Sequence, residues 1–197
     1  MEKQLRIKSY ITELYAIIQE CKESLAIADI LVNHLLDSLN TRQNLINALG
    51  RNIVILLSNI IKEDNDSINL LKVKNILQNE GKLWVLNYKE KEGSVAELIG
   101  RIDDTFANIE SDIDAVITWR DQYFAHVDKK WFSDNYPAAA SDNLCITTYN
   151  IEHLIKALEP LLADVCKLFE IDIQELQIKS DSDKFLKIIG IGQKYLN

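Results

Sequence analysis

Apolar side chains recur along the N-terminal segment at gaps that alternate between four and three residues. This spacing places them on one stripe of a helix and is typical of a long helix packed lengthwise against others. The pattern predicts a single helix as far as about Leu39. Its stripe consists of Ile7, Ile11, Leu14, Ile18, Cys21, Leu25, Ala28, Val32, Leu35 and Leu39.

Three more helices are predicted from the same period. The polar run 40–44 (NTRQN) offers a cap for a second helix, and Ser67 can cap a third that stops near Gly81. Ser94 and Glu97 have the spacing of a capping box, in which each side chain bonds the other residue's backbone N–H, so they predict the start of a fourth helix. The stripe of that fourth helix is Val95, Ile99, Ile102, Phe106, Ile109, Ile113 and Val116.

The helical period is then interrupted and returns over residues 150–170. Pro160 lies inside this stretch and predicts either a kink or the start of a second half. Asp172 and Glu175 suggest one more cap, and a last short helix is expected over residues 183–196.

Together these elements predict an all-α bundle of five or six helices. We expect residues 1–170 to form the bundle and residues 171–197 to be a helical appendage of the same domain. A chain of 197 residues is long enough to bury one substantial core.

Composition narrows the classes of function. The three cysteines are odd in number and far apart, which indicates buried thiols rather than a disulfide framework or a zinc site. Residues 1–6 carry mixed charge instead of a secretory signal, and no apolar run is long enough to span a membrane, so we expect a cytoplasmic protein. Because the net charge is −8, the protein as a whole does not attract nucleic acid, and any contact with nucleic acid must be made by a local part of its surface.

Residues 115–131 (AVITWRDQYFAHVDKKW) depart from an ordinary helical pattern. The stripe through Ile113 and Val116 continues to Arg120, so a guanidinium falls on the inward face and requires an interface, an acid or an anion. His126 lies six residues further on, about 240° around a continued helix. The two side chains can converge only if the helix ends near Phe124 or if a second subunit supplies one of them.

An arginine and a histidine held together could cleave RNA. The imidazole can take a proton from a ribose 2′-OH or give one to the leaving 5′-oxygen, and the guanidinium can stabilise the charge that builds up on the phosphate. Neither a metal nor a cofactor is needed for this chemistry. Spacing alone favours a structural interpretation, with a salt-bridged arginine at a helix end and a histidine that caps the helix, because Arg and His recur at a given separation by accident.

The run RDQYFAH resembles the signature of the HEPN superfamily. That signature consists of an arginine, a polar residue after it and a histidine a few positions further on. In this chain Arg120, Asp121 and His126 occupy these positions. Residues 126–128 (HVD) are similar to the end of this motif as it is common in the abortive-infection branch of the AbiU type. Residues 49–77 are similar to that branch's paired helices, and roughly residues 40–170 can be laid on the family pattern.

The resemblance implies a metal-independent endoribonuclease that works as a homodimer, with two motifs facing each other across a shared cleft. Carried over by position, Arg120 would stabilise the scissile phosphate, His126 would be the general acid and base, and Asp121 would orient one of them. Such proteins act in phage defence or in toxin–antitoxin pairs, so RNA, a second copy, and an antitoxin or nucleotidyltransferase are the implied partners. The alternative is a HEPN-type module that binds nucleic acid, a nucleotide or a protein without cleaving.

Aromatic and basic side chains cluster around the motif. Tyr123, Lys129 and Lys130 would contact RNA if the aromatics form a stacking platform beside phosphate contacts. Core or dimer packing is the alternative for the aromatics, and a solvated turn is the alternative for the lysines. The aromatics concerned are Trp119, Tyr123, Trp131, Phe132 and Tyr136.

Three other polar residues carry weaker signals. His153 falls in the first turn of a predicted helix, with no matching ligand nearby. Arg51 and Asn52 lie inside the second predicted helix and could reach the cleft, but a salt bridge is expected there instead.

Overall fold

The computed structural model describes residues 2–34, 39–62, 69–123 and 148–176. Within these ranges the chain is helical and contains no strand, which confirms the predicted all-α bundle. The helices are α1 (Glu2–His34), α2 (Leu39–Ile61), α3 (Leu70–Trp84), α4 (Tyr88–Asn108), α5 (Glu110–Tyr123), α6 (Thr148–Leu168) and the short α7 (Ile173–Leu176). Across the same ranges, no helix combines the length and the apolarity that crossing a bilayer requires.

The apolar face of α6 forms the centre of the core. It packs against α1, α4 and α5. Pro160 lies inside this helix, which continues through it without the predicted start of a second half, and the residue is exposed. The buried residues of α6 are Ile151, Leu154, Ile155, Leu158, Leu161, Leu162, Val165, Cys166 and Leu168.

Polar contacts show that α1 runs antiparallel to α6. Lys22 Nζ lies 2.6 Å from Glu159 Oε1, and Lys8 Nζ donates to the carbonyl oxygen of Glu170 at 3.4 Å. Numbers therefore rise along α1 as they fall along α6. The C-terminal turns of α1 lie level with the first turns of α6.

The stretch formed by α4 and α5 also runs antiparallel to α6. Lys91 Nζ at the start of α4 lies 2.7 Å from Glu170 Oε1, beyond the end of α6, and Arg101 pairs with Asp164 further along. One end of the bundle is therefore formed by the C-terminal turns of α1 and α5 and the N-terminal turns of α2 and α6. We call this the motif end, because α5 carries Arg120 there.

The predicted start of the fourth helix at Ser94 and Glu97 is wrong. Both residues lie exposed within α4, which begins six residues earlier at Tyr88. The chain enters α4 through Asn87 in the left-handed region (φ 54°), where asparagine is tolerated better than most residues. The tyrosine ring packs on Gly81 of α3, a tertiary contact that a local capping pattern cannot reveal.

The long stripe predicted to follow that start is divided between two helices at Ile109. Its backbone departs from helical geometry (φ −106°, ψ 14°), yet its N–H bonds Thr105 O and its carbonyl accepts from Ile113 N, each at 3.0 Å. Glu110 and Asp112 then occupy the first turn of α5, where acids favour a helix start. The stripe stays inward across the break because Ile109 is buried.

Two helix starts differ from the predicted ones. α2 begins at Leu39, so residues 40–44 lie within the helix instead of capping it. Asn and Thr favour the N-terminus of a helix, but they do not prevent a helix from continuing through them. α3 is capped by Asn69, whose Oδ1 accepts from Lys72 N at 2.7 Å, while Ser67 lies outside the described residues. α3 also continues past Gly81 to Trp84.

The predicted buried thiols are confirmed at Cys21 and Cys166, which are both buried and free. Burial raises the pKa of Cys21 to about 12 and that of Cys166 to about 11, so both thiols stay protonated at neutral pH. Cys145 lies outside the described residues. The predicted cap at Asp172 is also found, because its Oδ1 accepts from Gln174 N at 2.8 Å at the start of α7.

A matched pair of glycine substitutions tests the α3–α4 packing. Gly100→Ala should stabilise the fold by about 1 kcal/mol, because alanine favours a helix interior and nothing lies within 4 Å of the added Cβ. Gly81→Ala should be less stable than Gly100→Ala by about 1–3 kcal/mol, because its Cβ would lie 2.8 Å from Tyr88 Cε2. Urea unfolding measures both, and equal gains would mean that Tyr88 does not pack on Gly81.

Candidate functional site

Arg120 lies in the last turn of α5, on the face that the sequence pattern assigns to it. Val116, one turn earlier, is fully buried, and the Arg120 side chain is only 19% exposed. α5 packs between α2 and α6, so the arginine is held among helices rather than free on a surface. An always-charged group in such a position requires compensation.

The recorded partner of Arg120 in the described part of the chain is Asp121. Its Nε donates to Asp121 Oδ1 at 2.8 Å, and its Nη2 donates to the same oxygen. Adjacent residues do not face each other on a helix, and the aspartate side chain is 50% exposed, so this pair is weakly constrained. The two bonds use two of the five N–H donors of the guanidinium.

The other residues of the proposed motif fall partly or wholly outside the described structure. The backbone of Tyr123 is described as the last residue of α5, but its side chain is not. His126, Lys129 and Lys130 lie outside the described residues, so their approach to Arg120 stays a prediction. Trp119 is half-buried and packs against the core, which favours a packing role for this one aromatic residue.

A second polar cluster lies two turns earlier on α5, and it joins α5 to α6. Asp112 is 6% exposed, its Oδ1 accepts from Asn150 Nδ2 at 2.6 Å, and its Oδ2 lies 2.7 Å from His153 Nδ1. Both carboxylate oxygens are therefore engaged by side chains of α6. Sequence reasoning found no partner for His153, and the structure corrects this.

The electrostatics of this cluster fix the orientation of the histidine. Burial acts to raise the pKa of Asp112, but hydrogen bonds from Asn150 and His153 and the charge of His153 outweigh it, so the pKa lies below its usual range. The carboxylate is therefore ionised at neutral pH and can only accept hydrogen bonds. His153 Nδ1 must carry a proton, which leaves Nε2 as the second polar atom of the ring.

A tyrosine extends the cluster at its outer side. The rings of Tyr149 and His153 are stacked, with centroids 5.9 Å apart and planes inclined by 15°. The imidazole is partly exposed at 44%, and Tyr149 is 71% exposed. At the first turns of α6 the Tyr149 ring thus packs on one face of the imidazole and exposes its own other face to solvent.

One feature of the sequence could have indicated the polar cluster around Asp112. Asp112 falls between Ile109 and Val116 on the inward stripe, so it is a second charge on the same face as Arg120. Its partner could not be read from spacing, because His153 lies 41 residues away. In the described ranges, no group of three or more His, Cys, Asp or Glu side chains is placed to hold a metal ion.

A salt bridge was expected at Arg51 and Asn52, and the structure shows a hydrogen bond of Asn52 to an acid of α1. Asn52 Nδ2 donates to Glu20 Oε1 at 3.1 Å, which links α2 to α1. Arg51 is exposed beside it on α2 and also takes part in a contact.

The chain was compared with known proteins. The sequence model of the HEPN family AbiU2 matches residues 13–185. No curated protein and no solved structure matched the chain.

Substitution of Asp112 tests its stabilising role. Asp112→Asn should lower the free energy of unfolding at pH 7 by about 1–3 kcal/mol, because the amide group that replaces one oxygen is a donor and would face the donor of either Asn150 or His153. As a matched control, Asp164→Asn removes the partner of Arg101 in an exposed pair and should change stability by less than about 1 kcal/mol.

The same substitution carries a dependence on pH. Because the pKa of Asp112 is lowered in the fold, its contribution is present above the unfolded pKa of about 3.9 and is lost as the pH falls through the folded value. The stability difference between wild type and Asp112→Asn should therefore shrink below about pH 4. A difference that stays constant from pH 7 to acid pH, followed by urea unfolding, would contradict the ionised pairing.

Proposed function

The chain belongs to the AbiU2 family of HEPN domains, and from this premise we propose that it is a metal-independent endoribonuclease of the phage-defence or toxin–antitoxin type. The observation that carries the proposal is the position of Arg120. A guanidinium that is 19% exposed at the motif end has a half-exposed adjacent aspartate as its recorded partner among the described residues.

Arg120 binds the scissile phosphate in this proposal, and Asp121 orients it. The two bonds to Asp121 Oδ1 occupy the Nε side of the guanidinium, and the remaining donors can meet the oxygens of a phosphate. A charge held in place before the substrate arrives stabilises the transition state without reorganisation. Tyr123, Lys129 and Lys130 add contacts to the RNA beyond the reacting phosphate.

His126 moves the protons. It takes the proton of the ribose 2′-OH as the 2′-oxygen attacks phosphorus, and a protonated histidine gives one to the 5′-oxygen as the P–O5′ bond breaks. The products are a 2′,3′-cyclic phosphate and a 5′-hydroxyl end. No metal or cofactor enters these steps.

Two copies of the chain assemble the site. His126 follows Arg120 by six residues, and on a continuing helix the two side chains would diverge. A partner subunit facing the motif end brings the arginine of one copy to the histidine of the other. Val32 near the end of α1 and Leu45 in the second turn of α2 support this contact, because both are large apolar residues left about half exposed at the motif end.

The second candidate function is a HEPN-type module that binds nucleic acid, a nucleotide or a protein without cleaving. The net charge of −8 favours the form of this module that binds a protein, because an acidic surface attracts RNA poorly. An antitoxin or a nucleotidyltransferase would then be the partner of the same surface. Cleavage by the wild-type protein separates the two functions directly.

Substitutions of the proposed pair test the ribonuclease. Arg120→Ala or His126→Ala should each lower the rate of RNA cleavage by about 100-fold or more, since each removes a group that acts in the transition state. Products are resolved on gels, and EDTA should leave the rate unchanged. Arg101→Ala is the control, because it removes a salt-bridged arginine on another face and should leave cleavage intact. Undiminished cleavage in both variants would refute the assignment.

Mixing the two inactive variants tests the composite dimer. In a heterodimer of Arg120→Ala and His126→Ala, one of the two sites keeps both an intact arginine and an intact histidine. Random pairing makes half of the dimers mixed, so activity should return to about a quarter of the wild-type rate. If each site lies within one protomer, the mixture stays inactive.

A further inference from the structure

The stacked pair of Tyr149 and His153 is not used by the proposed Arg120 chemistry. A tyrosine ring that is 71% exposed gains little from the core, and it packs instead on an imidazole held by a buried carboxylate. Large exposed aromatics on a fixed support are typical of surfaces that bind a flat ligand.

The support beneath this surface is rigid. His153 Nδ1 bonds Asp112, and Asn150 holds the other carboxylate oxygen, so the imidazole cannot rotate without breaking a nearly buried bond. An aromatic surface fixed in advance loses little entropy when a ligand stacks on it.

The surface lies near Arg120 along the bundle. Arg120 is eight residues beyond Asp112 on α5, which corresponds to about 12 Å along the axis. α6 runs antiparallel to α5, so Tyr149, four residues before His153, lies nearer to the level of Arg120 by about 6 Å. A single strand bound at the arginine through its phosphate would pass close to the pair.

We infer that Tyr149 and His153 form a stacking subsite for an unpaired nucleobase of single-stranded RNA. The inference rests on the proposed function in that Arg120 takes a phosphate of the same strand. A nucleobase fits because it has a flat π-face that can stack on the free face of the Tyr149 ring, opposite the face that packs on His153.

Binding of an RNA that cannot be cleaved tests the subsite apart from catalysis. The probe is a fluorescent single strand of about ten nucleotides with 2′-O-methyl riboses, a length within the usual span of such sites. Tyr149→Ala should raise its Kd by about 5- to 100-fold in fluorescence anisotropy at fixed salt, the loss of one stacked base. Tyr149→Phe keeps the ring and should stay much closer to wild type.

Two controls separate stacking from other effects. An abasic strand of the same length and charge should bind wild type and Tyr149→Ala equally, because it has no base to stack. Leu83→Ala removes an exposed apolar side chain at the opposite end of the bundle and should leave both affinities unchanged. Tyr149 carries the main test because its substitution leaves the Asp112 cluster and the fold intact.

The outcomes distinguish the subsite from the ribonuclease. The subsite is wrong if Tyr149→Ala leaves the Kd of the base-containing probe unchanged, or if the wild-type protein does not bind that probe. Either result counts against it whatever the cleavage assays give. A loss of affinity confined to that probe supports the subsite even if the wild-type protein cleaves nothing. If Tyr149→Ala instead splits a dimer in size-exclusion chromatography and weakens both probes alike, the tyrosine is a subunit contact and the inference is wrong.

Discussion

Burial of the apolar face of α6 is the constraint on which the arrangement of the bundle depends. α6 packs against α1, α4 and α5, so one helix sets the positions of three others. Apolar contacts specify that these faces meet, but they are non-directional and do not set the register along the axis. Among the polar contacts of α6, the bond of His153 to the nearly buried Asp112 supplies this register between α5 and α6. The exposed pairs that Glu159 makes with α1 and Asp164 makes with α4 are compatible with the same alignment but contribute little to it.

That alignment explains why chemistry concentrates at one end. The final turns of α1 and α5 and the first turns of α2 and α6 are distant in sequence but share the motif end. Arg120, Tyr149 and the exposed Val32 therefore lie at the same end of the bundle. A surface that combines a constrained cation, an exposed aromatic pair and apolar side chains has the chemistry to meet both RNA and a second copy of the chain.

The sequence predicts best what depends on the helical period alone. The stripe of α1 as far as Cys21, the buried face of α6 and the inward position of Arg120 follow from spacing, because each helix must bury one face. The predicted end of the α1 stripe is wrong, because Val32 is exposed while Leu31 is buried, and Leu39 belongs to α2. The start of α4 was misplaced, because Ser94 and Glu97 are a local signal while Tyr88 packs on Gly81 of another helix. The pairing of Asp112 with His153 was out of reach for the same reason, since spacing along one helix carries no information about which neighbour faces it.

The two opposite charges on the inward stripe of α5, Asp112 and Arg120, are therefore compensated in different ways. Asp112 is nearly buried and both of its oxygens are bonded by α6, so its charge is compensated within the fold. Arg120 is almost as enclosed, yet its recorded partner is a half-exposed neighbour on the same helix. A buried charge persists where something offsets its loss of hydration, and a half-exposed aspartate offsets little. In the proposed function an incoming phosphate supplies that compensation at Arg120, which would separate the residue proposed to act on a ligand from Asp112, which joins α5 to α6.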